Sequence, residues 1–296
     1  MTLRLVDVLS DAPRDVAFLA ACLGVTERDV RVQAVALLRE GYPVVEVGDA
    51  LAFAPGTPTP EALAPRGVFG RAYRYVGTTA STQDDVRAWE GAPHGAVVLA
   101  ERQTAGRGRR GRAWRGAGSA LMFSVLLSDD AVLAALPLVP LAAAVALREA
   151  CGVGGVKWPN DLLAPDGRKL AGVLLEADLR GGRARRAVLG VGLNVFGAPE
   201  GAAGLAEFGT VTRAQVLRDA LERLEAWLAR PVGEVLEAWR EVSVTLGRPV
   251  QVSTAGGPVG GVARDVDGDG ALLVETPDGV VRVTAGDVVL VGSLRR

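Results

Sequence analysis

Four prolines close together divide this chain into a short first part and a longer second part. Pro55, Pro58, Pro60 and Pro65 all stand in the segment APGTPTPEALAPRG (54–67). Because proline lacks a backbone N–H and restricts the residue before it, we expect this segment to be a linker without regular structure. The 296 residues are enough for two or three domains, so folded units are expected on both sides of the linker.

The part before the linker predicts three helices followed by a small hairpin. Gly24 is expected to end the second helix and Thr26 to cap the third. The three helical stretches are LRLVDVLSD (3–11), RDVAFLAACLGV (14–25) and TERDVRVQAVALLREG (26–41), and two short strands follow in YPVVEVGDALAFA (42–54). This order predicts a winged helix-turn-helix domain over residues 1–62, and a helical dimerisation or packing module stays open as the alternative.

The charge of this first part bears on whether it binds DNA. Residues 1–60 hold 5 Arg against 8 Asp and Glu, and the third helix interleaves Arg28, Arg31 and Arg39 with acidic residues. Phosphate neutralisation supplies most of the affinity of a DNA-binding protein. Operator DNA therefore stays an open partner for this domain.

The whole-chain totals exclude some classes of protein. With 49% hydrophobic residues, 23% charged residues and a net charge of −1, the composition is ordinary for a globular protein, and any basic site must be local. Arg4 and Asp7 interrupt the apolar core that a signal peptide needs. Cys22 and Cys151 lie far apart and are expected to be buried thiols in a reducing compartment. We expect a cytoplasmic protein.

The longest uncharged run, residues 131–147, is a candidate membrane segment. It has 17 residues and contains Pro137 and Pro140. A bilayer span needs about 20 apolar residues, so a buried helix with a kinked or late start is the better interpretation. No membrane segment is predicted.

The second part of the chain predicts a catalytic domain and a small terminal domain. Residues 69–246 mix strands (AVVLA, ALMFSVLL, GVLLEADL, AVLGVGLNV) with helices near 141–150, 212–230 and 232–245, which indicates an α+β fold with a mixed sheet. Residues 247–296 give short, closely spaced strands, which favour an SH3-like β-barrel. Within them DVDGDG (265–270) begins like a calcium loop, but Thr276 stands where the loop needs a bidentate Glu, so a hairpin turn is expected.

GRGRRG (106–111) has the form of the dinucleotide-binding fingerprint. That fingerprint opens a helix that crosses back over the sheet, but only nine residues separate this segment from the next predicted strand. It is not a P-loop either, since no Lys followed by Ser or Thr is present. The dinucleotide interpretation therefore fails.

What remains is a basic, glycine-containing segment, which we call the arginine loop (residues 106–115). Its arginines are Arg107, Arg109, Arg110, Arg112 and Arg115. Glycines allow close backbone approach, and guanidinium groups make charge-assisted bonds to phosphate or carboxylate. The loop is expected to fold over an anionic ligand, although a nucleic-acid patch or a solvated turn stays open from these residues alone.

The only two lysines of the chain, Lys157 and Lys169, fall in GVKWPNDLLAPDGRKLAGVLLEA (155–177). Oxygens of Asn160 and Asp161 beside two lysines suit a Mg-nucleotide site with an anionic co-substrate. The alternative is a salt-bridged hairpin. Further along, GVGLNVFG (190–197) ends a buried strand with small residues that leave room for a ligand.

These segments, in this order, resemble the motifs of the bacterial biotin protein ligases. They are GTTASTQDD, ERQTAGRGRRGRAW, VKWPNDLL, RKLAGVLLE and GVGLNV, spanning about 75–197, with GLAEFG (204–209) a looser match. The combination is highly specific. The resemblance implies a catalytic domain like that of the class II aminoacyl-tRNA synthetases, between the winged helix-turn-helix and the SH3-like domain of the ligase/repressor type.

The resemblance also implies an activity. Biotin would be activated with ATP to biotinyl-5′-AMP and passed to a lysine of the biotin carboxyl carrier protein of acetyl-CoA carboxylase. Mg²⁺ would accompany ATP, and a homodimer and operator DNA are further partners of this type. A lipoate ligase and a regulator without ligase activity are the alternatives.

Site residues follow from the same resemblance. Ser81, Thr82 and Gln103 would bond the ureido ring of biotin, and the remaining biotin contacts would be Gly106, Arg107, Arg109, Lys169, Gly172 and Gly190. The nucleotide would meet Arg107, Arg110, Trp114, Lys157, Asn160 and Asn194, with Asn160 and Asn194 also candidates to hold Mg²⁺. The catalytic residues would be Lys169, which pairs with the biotin carboxylate and the α-phosphate, Asp161, which deprotonates the acceptor lysine, and Arg109, which retains the adenylate.

Overall fold

The N-terminal elements pack as three helices beside a small antiparallel sheet. The computed structural model describes residues 3–181 and 183–291. The first elements are α1 (Leu5–Val8), β1 (Arg14–Asp15), α2 (Val16–Leu23), α3 (Glu27–Glu40), β2 (Val44–Val47) and β3 (Ala50–Phe53). The strands pair in the order β1-β3-β2, with β2 and β3 forming a hairpin. The three predicted helices and the hairpin are therefore present, and β1 was not predicted.

Local caps explain where these helices begin and end. Thr26 Oγ1 accepts from Asp29 N, and Asp29 in return accepts from Thr26 N, so the start of α3 satisfies its own free donors. Gly24 ends α2 and Gly41 ends α3, both in the left-handed conformation that glycine adopts without strain. The predicted ends at Gly24 and Thr26 are confirmed.

The prediction that the proline segment has no regular structure is wrong in part. The segment contains the single-turn helix α4 (Pro60–Leu63). Thr59 Oγ1 accepts from Ala62 N, and a proline in the first turn removes only an N–H that would have no helical partner. Leu63 is fully buried, and its carbonyl accepts from Arg218 Nε at 2.9 Å. A capped first turn and a buried leucine thus order a segment whose composition suggested a linker.

A seven-stranded sheet forms the centre of the molecule. Its strands are β4 (Tyr73–Thr79), β5 (Val97–Gln103), β6 (Leu121–Leu127), β7 (Gly155–Lys157), β8 (Asp161–Leu163), β9 (Lys169–Arg180) and β10 (Arg183–Leu193), in the order β4-β5-β6-β10-β9-β8-β7. Only β4 and β5 run parallel to each other, and the other neighbours are antiparallel. The expected mixed sheet is confirmed.

Helices cover this sheet and supply its core. They are α5 (Thr82–Ala88), α6 (Asp130–Ala134), α7 (Val139–Cys151), α8 (Arg213–Leu228) and α9 (Val232–Glu241). The uncharged run 131–147 is divided among α6, a 3₁₀ turn and α7, which begins at Val139 with Pro140 in its first turn. This is the predicted late start of a buried helix. Among the described residues, no helix is long and apolar enough to cross a membrane.

A five-stranded antiparallel sheet closes the described chain. Its strands are β11 (Pro249–Thr254), β12 (Gly257–Val266), β13 (Leu272–Thr276), β14 (Gly279–Val283) and β15 (Asp287–Leu290), in the order β14-β13-β12-β11-β15. The segment DVDGDG turns between β12 and β13, where Asp267 accepts from the backbone N–H groups of Asp269 and Ala271. This agrees with the hairpin interpretation.

The prediction of two buried thiols is half wrong. Cys151 is buried at the end of α7, and burial raises its pKa to about 12. Cys22 is exposed, because it lies outside the stripe of α2 that Val16, Leu19 and Ala20 bury.

Candidate active site

A cleft of about 350 Å³ lies on the face of the central sheet that carries small residues. Along β10 the side chains alternate: Leu189 and Val191 join the main core, whereas Gly190 and Gly192 face the cleft. Gly172 of β9 lies directly beside Gly192. Adjacent glycines on neighbouring strands thus make a floor without side chains.

Lys169 and Asp161 form an ion pair at the edge of this floor. Lys169 Nζ donates to Asp161 Oδ1 at 2.6 Å, and both side chains are partly exposed to the cleft, at 38% and 20%. Asp161 lies opposite Gly172 in the pairing of β8 with β9, which fixes its position relative to the floor. The salt-bridged hairpin considered from the sequence is therefore present, and it lines the cleft.

Trp114 covers the floor. A Cβ at position 192 would come within 2.1 Å of indole Cε2, and one at position 172 within 3.3 Å of Cζ3. Lys169 Nζ lies 5.5 Å from the centre of the indole ring, within reach of a cation–π attraction. The indole Nε1 is buried and has no hydrogen-bond partner among the described residues.

The arginine loop is folded back on itself. Trp114 N donates to Gly106 O at 2.9 Å, and Gly108 N donates to Arg112 O at 2.7 Å. A Cβ at position 106 would lie 2.8 Å from Trp114 O, so only glycine allows this closure. No crossover helix follows the loop, which confirms the rejection of the dinucleotide fingerprint.

The arginines of this loop bind to two different parts of the protein. Arg107 makes two bonds to Asp84, at 2.7 and 2.8 Å, and two to Glu176, and the Asp84 bonds, together with those to Glu176, raise the pKa of Arg107. Arg109 Nη1 donates to Asn160 Oδ1 at 3.2 Å and to Gly286 O at 3.1 Å. Burial lowers the pKa of Arg109, while the nearby Asp287 carboxylate opposes that shift.

A hydrogen-bonded group of polar side chains stands at one end of the cleft. Gln103 Oε1 accepts from Thr82 N at 2.8 Å and from Thr82 Oγ1 at 3.2 Å. Thr82 Oγ1 also lies 2.8 Å from Ser124 Oγ, deep in the sheet. A site with fixed donors and acceptors at this end suits a polar ring better than an aliphatic chain.

Comparison with known proteins agrees with this geometry. Residues 75–194 match the model of the biotin/lipoate A/B protein ligase family, and residues 245–291 match that of the biotin protein ligase C-terminal domain. The chain is 37% identical over 242 residues to the biotin–[acetyl-CoA-carboxylase] ligase of Mycobacterium tuberculosis, covering 72% of this chain and 87% of that protein. It is 31% identical over 245 residues to the bifunctional ligase/repressor BirA of Bacillus subtilis, covering 75% of each. The chain belongs to the biotin protein ligases.

Solved structures of this family show the same fold. The biotin protein ligase of Aquifex aeolicus, in complex with biotin and ATP, superposes with a TM-score of 0.63 at 29% sequence identity. The match covers 98% of that chain but 74% of this ligase. The two family models leave residues 1–74 unmatched.

Most of the predicted site residues of this ligase meet at this cleft. Those that line it are Thr82, Gln103, Arg107, Arg109, Trp114, Asn160, Asp161, Lys169, Gly172, Gly190 and Asn194. Ser81, Gly106, Arg110 and Lys157 do not line it. Ser81 is buried at the start of α5, Gly106 permits the loop closure described above, and Arg110 reaches the C-terminal sheet.

Lys157 lies close to the cleft without forming its wall. It pairs with Asp161 across β7 and β8, so both side chains are on the same face of the sheet. Burial lowers the pKa of Lys157, and the Asp161 carboxylate opposes this shift. Its ammonium group thus lies near Asp161 and Lys169 at the edge of the cleft without lining it.

Asn160 and Asn194 differ in what they can offer a metal ion. Asn160 is engaged at both amide atoms, since Nδ2 donates to Val173 O at 2.6 Å and Oδ1 accepts from Arg109. Asn194 is 2% exposed, and its Oδ1 is buried without a hydrogen-bond partner among the described residues. An unpaired amide oxygen suits a cation or an N–H donor. The donor set therefore fits Mg²⁺ at Asn194 better than at Asn160.

Gln83 is a cleft residue that was not predicted. It is 4% exposed and its Nε2 donates to Leu174 O at 3.3 Å. A Cβ at Gly190 would come within 2.9 Å of its Cδ, so Gln83 fills the space that Gly190 leaves. Its place directly after Ser81 and Thr82 in the STQ motif is the signal that could have identified it.

Proposed function

We propose that this ligase activates biotin with ATP to give biotinyl-5′-AMP and pyrophosphate, then transfers biotin to a lysine of the biotin carboxyl carrier protein of acetyl-CoA carboxylase. The observation that carries this proposal is the Lys169–Asp161 pair at the edge of a glycine floor under Trp114. The site thus combines a cation, a carboxylate and an indole that covers part of the floor. Relatives whose names specify biotin, such as the biotin–[acetyl-CoA-carboxylase] ligase of Mycobacterium tuberculosis, favour it over the lipoate alternative.

The ureido ring of biotin would bind at the Thr82–Gln103 end of the cleft. Gln103 Oε1 is already held by Thr82, so Gln103 Nε2 is the atom left to donate to the ureido carbonyl. Thr82 Oγ1 and the neighbouring Ser124 Oγ are placed to accept from a ureido N–H. Ser81 is buried next to Thr82 and does not line the cleft, and we propose that it adds a further bond to the ureido ring. The biotin chain would then run along Gly190 and Gly172 toward Lys169.

Adenylation requires two anions to approach each other. The biotin carboxylate attacks the α-phosphorus of ATP, a P–O bond forms, and pyrophosphate leaves with the electrons of the broken bond. Lys169 would exchange its bond to Asp161 for bonds to these oxygens, and Arg107 and Arg109 would add positive charge from the arginine loop. Arg110, Lys157 and Trp114 are proposed to act on the nucleotide.

Transfer requires a neutral amine. Once substrate has drawn Lys169 away, Asp161 has an unpaired carboxylate that can accept a proton from the acceptor lysine. That amine then attacks the biotinyl carbonyl and an amide bond forms. The bond from this carbonyl carbon to the phosphate oxygen breaks, AMP leaves with that electron pair, and the second proton of the amine passes to solvent. Arg109 would keep the adenylate in the cleft until the carrier arrives.

Mg²⁺ is proposed to accompany ATP. Bound to the nucleotide, it would neutralise phosphate charge. Asn194 Oδ1 is the protein atom best suited to hold it, and Asn160 would join only by giving up its bond to Arg109.

The flanking regions have their own proposed roles. We assign residues 1–62 to a winged helix-turn-helix, 69–246 to the catalytic domain and 247–296 to an SH3-like domain. Arg28 and Arg39 are exposed on α3, whereas Arg31 is paired with Asp49 of the hairpin at 2.7 Å. Operator DNA and a homodimer are proposed partners of this type of ligase. An electrophoretic mobility shift assay with a biotin-operon operator at rising salt tests DNA binding. Sedimentation with and without biotin tests dimerisation.

Pyrophosphate exchange tests the ligase function. We expect exchange into ATP that depends on biotin and not on lipoate, followed by labelling of a carrier domain. Lys169→Gln should abolish both, whereas Arg71→Gln, an exposed arginine outside the cleft, should change neither. Lipoate-dependent exchange would overturn the substrate, and biotin binding without exchange would favour a regulator.

A further inference from the structure

The tip of the arginine loop is attached mainly to the C-terminal sheet, and among the described residues its one side-chain bond to the catalytic domain is from Arg109 to Asn160. Arg112 Nη2 donates to Asp287 Oδ1 at 2.9 Å, and Arg110 Nη1 lies 3.6 Å from Asp287 Oδ2. Arg110 Nη2 also donates to Ser253 O at 2.7 Å, and Arg109 Nη1 donates to Gly286 O at 3.1 Å. Three arginines therefore bind one small patch of another domain.

That patch is a rigid corner of the C-terminal sheet. Ser253 of β11 and Asp287 of β15 are direct partners in the antiparallel pairing. A Cβ at Gly286 would lie 2.5 Å from Val252 Cγ1, so the chain is tightly packed at this point. The loop thus meets fixed acceptors.

The backbone of the loop is shaped by this attachment. Arg110 has φ 54°, in the left-handed region that non-glycine residues rarely adopt. Such a conformation persists only where surrounding contacts compensate for it. The bonds from Arg110 to Ser253 and Asp287 are the contacts that this structure provides.

The base of the loop is held separately. Arg107 binds Asp84 and Glu176, which belong to α5 and β9 of the catalytic domain. The cleft with Trp114 lies between these two attachments. Releasing the tip would therefore open the cover while the base stays in place.

We propose that Asp287 is a positioning residue that holds the arginine loop closed over the cleft, so that the C-terminal domain forms part of the cover of the adenylate. It does not line the cleft, and it acts through Arg110 and Arg112. The inference that Asp287 holds the loop closed depends only on the contacts described above, whereas the role of the closed loop in retaining the adenylate rests on the proposed function. The two parts are tested separately.

The first experiment needs no catalysis. Full-length protein is digested briefly with trypsin, and cleavage after Arg110 and Arg112 is followed by mass spectrometry. Loss of two partly exposed ion pairs predicts that Asp287→Asn speeds this cleavage roughly three- to ten-fold. Asp287→Glu should stay near the wild type. Asp278→Asn, which removes a carboxylate from the β13–β14 turn of the same domain, is the matched control and should not speed it.

The second experiment measures retention of the intermediate. With biotin, ATP and a carrier domain, the ratio of released biotinyl-adenylate to biotinylated carrier should rise by a similar factor in Asp287→Asn. Adding Arg112→Gln should raise it little further, since both changes break the same contact. Equal loop cleavage in Asp287→Asn and Asp278→Asn, with unchanged circular dichroism, would overturn the proposal. Faster cleavage in a protein that makes no adenylate would instead overturn the ligase function and leave the attachment standing.

Discussion

Trp114 lies against Gly192 so closely that a Cβ at position 192 would come within 2.1 Å of the indole. The sequence suggested that the glycines of GVGLNV leave room for a ligand. In this structure the room beside Gly192 is taken by the indole of the ligase itself. The indole also has a buried, unpartnered Nε1 among the described residues. Glycine at 192 is therefore what allows the cover to reach the floor.

Gly192→Ala should lift Trp114 from the floor. Overpacking of this kind costs about 1–3 kcal/mol, and here it should destabilise the closed state of the arginine loop relative to the open one. We expect faster tryptic cleavage in the arginine loop and a lower kcat/KM for ATP. Gly118→Ala is the control, because no atom lies within 4 Å of the added Cβ. Equal behaviour of the two variants would show that Trp114 does not depend on this contact.

Asp161→Asn should slow the transfer of biotin far more than its adenylation. Asp161→Asn keeps the shape of the side chain but removes the base, so transfer from preformed adenylate should slow by roughly 10²- to 10⁴-fold. Pyrophosphate exchange should change far less, since Lys169 remains. Rapid-quench measurement of each half-reaction checks this. An equal loss in both would mean that Asp161 serves mainly to hold Lys169.

Arg109→Gly should allow the adenylate to escape. The change removes the bonds to Asn160 and Gly286 together, while Arg107 still holds the base of the loop. Adenylation should continue, and bystander lysines should become biotinylated. Labelling of a mixture of carrier domain and albumin measures the selectivity. Selectivity equal to that of Arg71→Gln would exclude a role for Arg109 in retention.

Local patterns predicted much of this fold. Capping residues marked the end of α2 and the start of α3, and short, closely spaced apolar runs marked the strands of the C-terminal sheet, because these signals act between near neighbours in sequence. The helix α4 was missed for the converse reason. Its stability depends on Leu63 and on Arg218, which is far away in sequence.

The site was predicted in its residues but not in its connections. Ordered motifs identified Lys169, Asp161 and Trp114, since the chemistry needs those side chains. The link from Arg112 to Asp287 joins residues 175 positions apart, and no local pattern encodes it. Tertiary packing decides such contacts.

The buried pair of Glu101 and Arg213 should matter for stability. It joins β5 to α8 with side chains 8% and 6% exposed, and Tyr75 OH donates to the same carboxylate at 2.7 Å. Glu101→Gln leaves a buried cation without its counter-charge, which should lower the free energy of unfolding by about 3–5 kcal/mol. Glu234→Gln breaks the exposed pair with Arg230 and should cost less than about 1 kcal/mol. Urea unfolding of both variants decides whether burial sets the difference.

His94, the only histidine, should titrate below its usual range. Its Nδ1 accepts from the N–H groups of Ser128 at 3.0 Å and Asp129 at 3.2 Å, a role that only the neutral ring can fill. Burial lowers the pKa of His94, and the Asp129 carboxylate opposes part of that shift.

The sign of the resulting pH dependence follows from this shift. Because the unfolded state binds the proton more readily, the contribution of His94 to stability is complete above about pH 6.5 and is lost as the pH falls toward the lower pKa of the folded state. His94→Asn, whose Oδ1 can accept the same bonds, should not lose stability in that window. A single imidazole resonance makes the pKa measurable by NMR, and a value at or above that of a free histidine would contradict the role of Nδ1 as an acceptor.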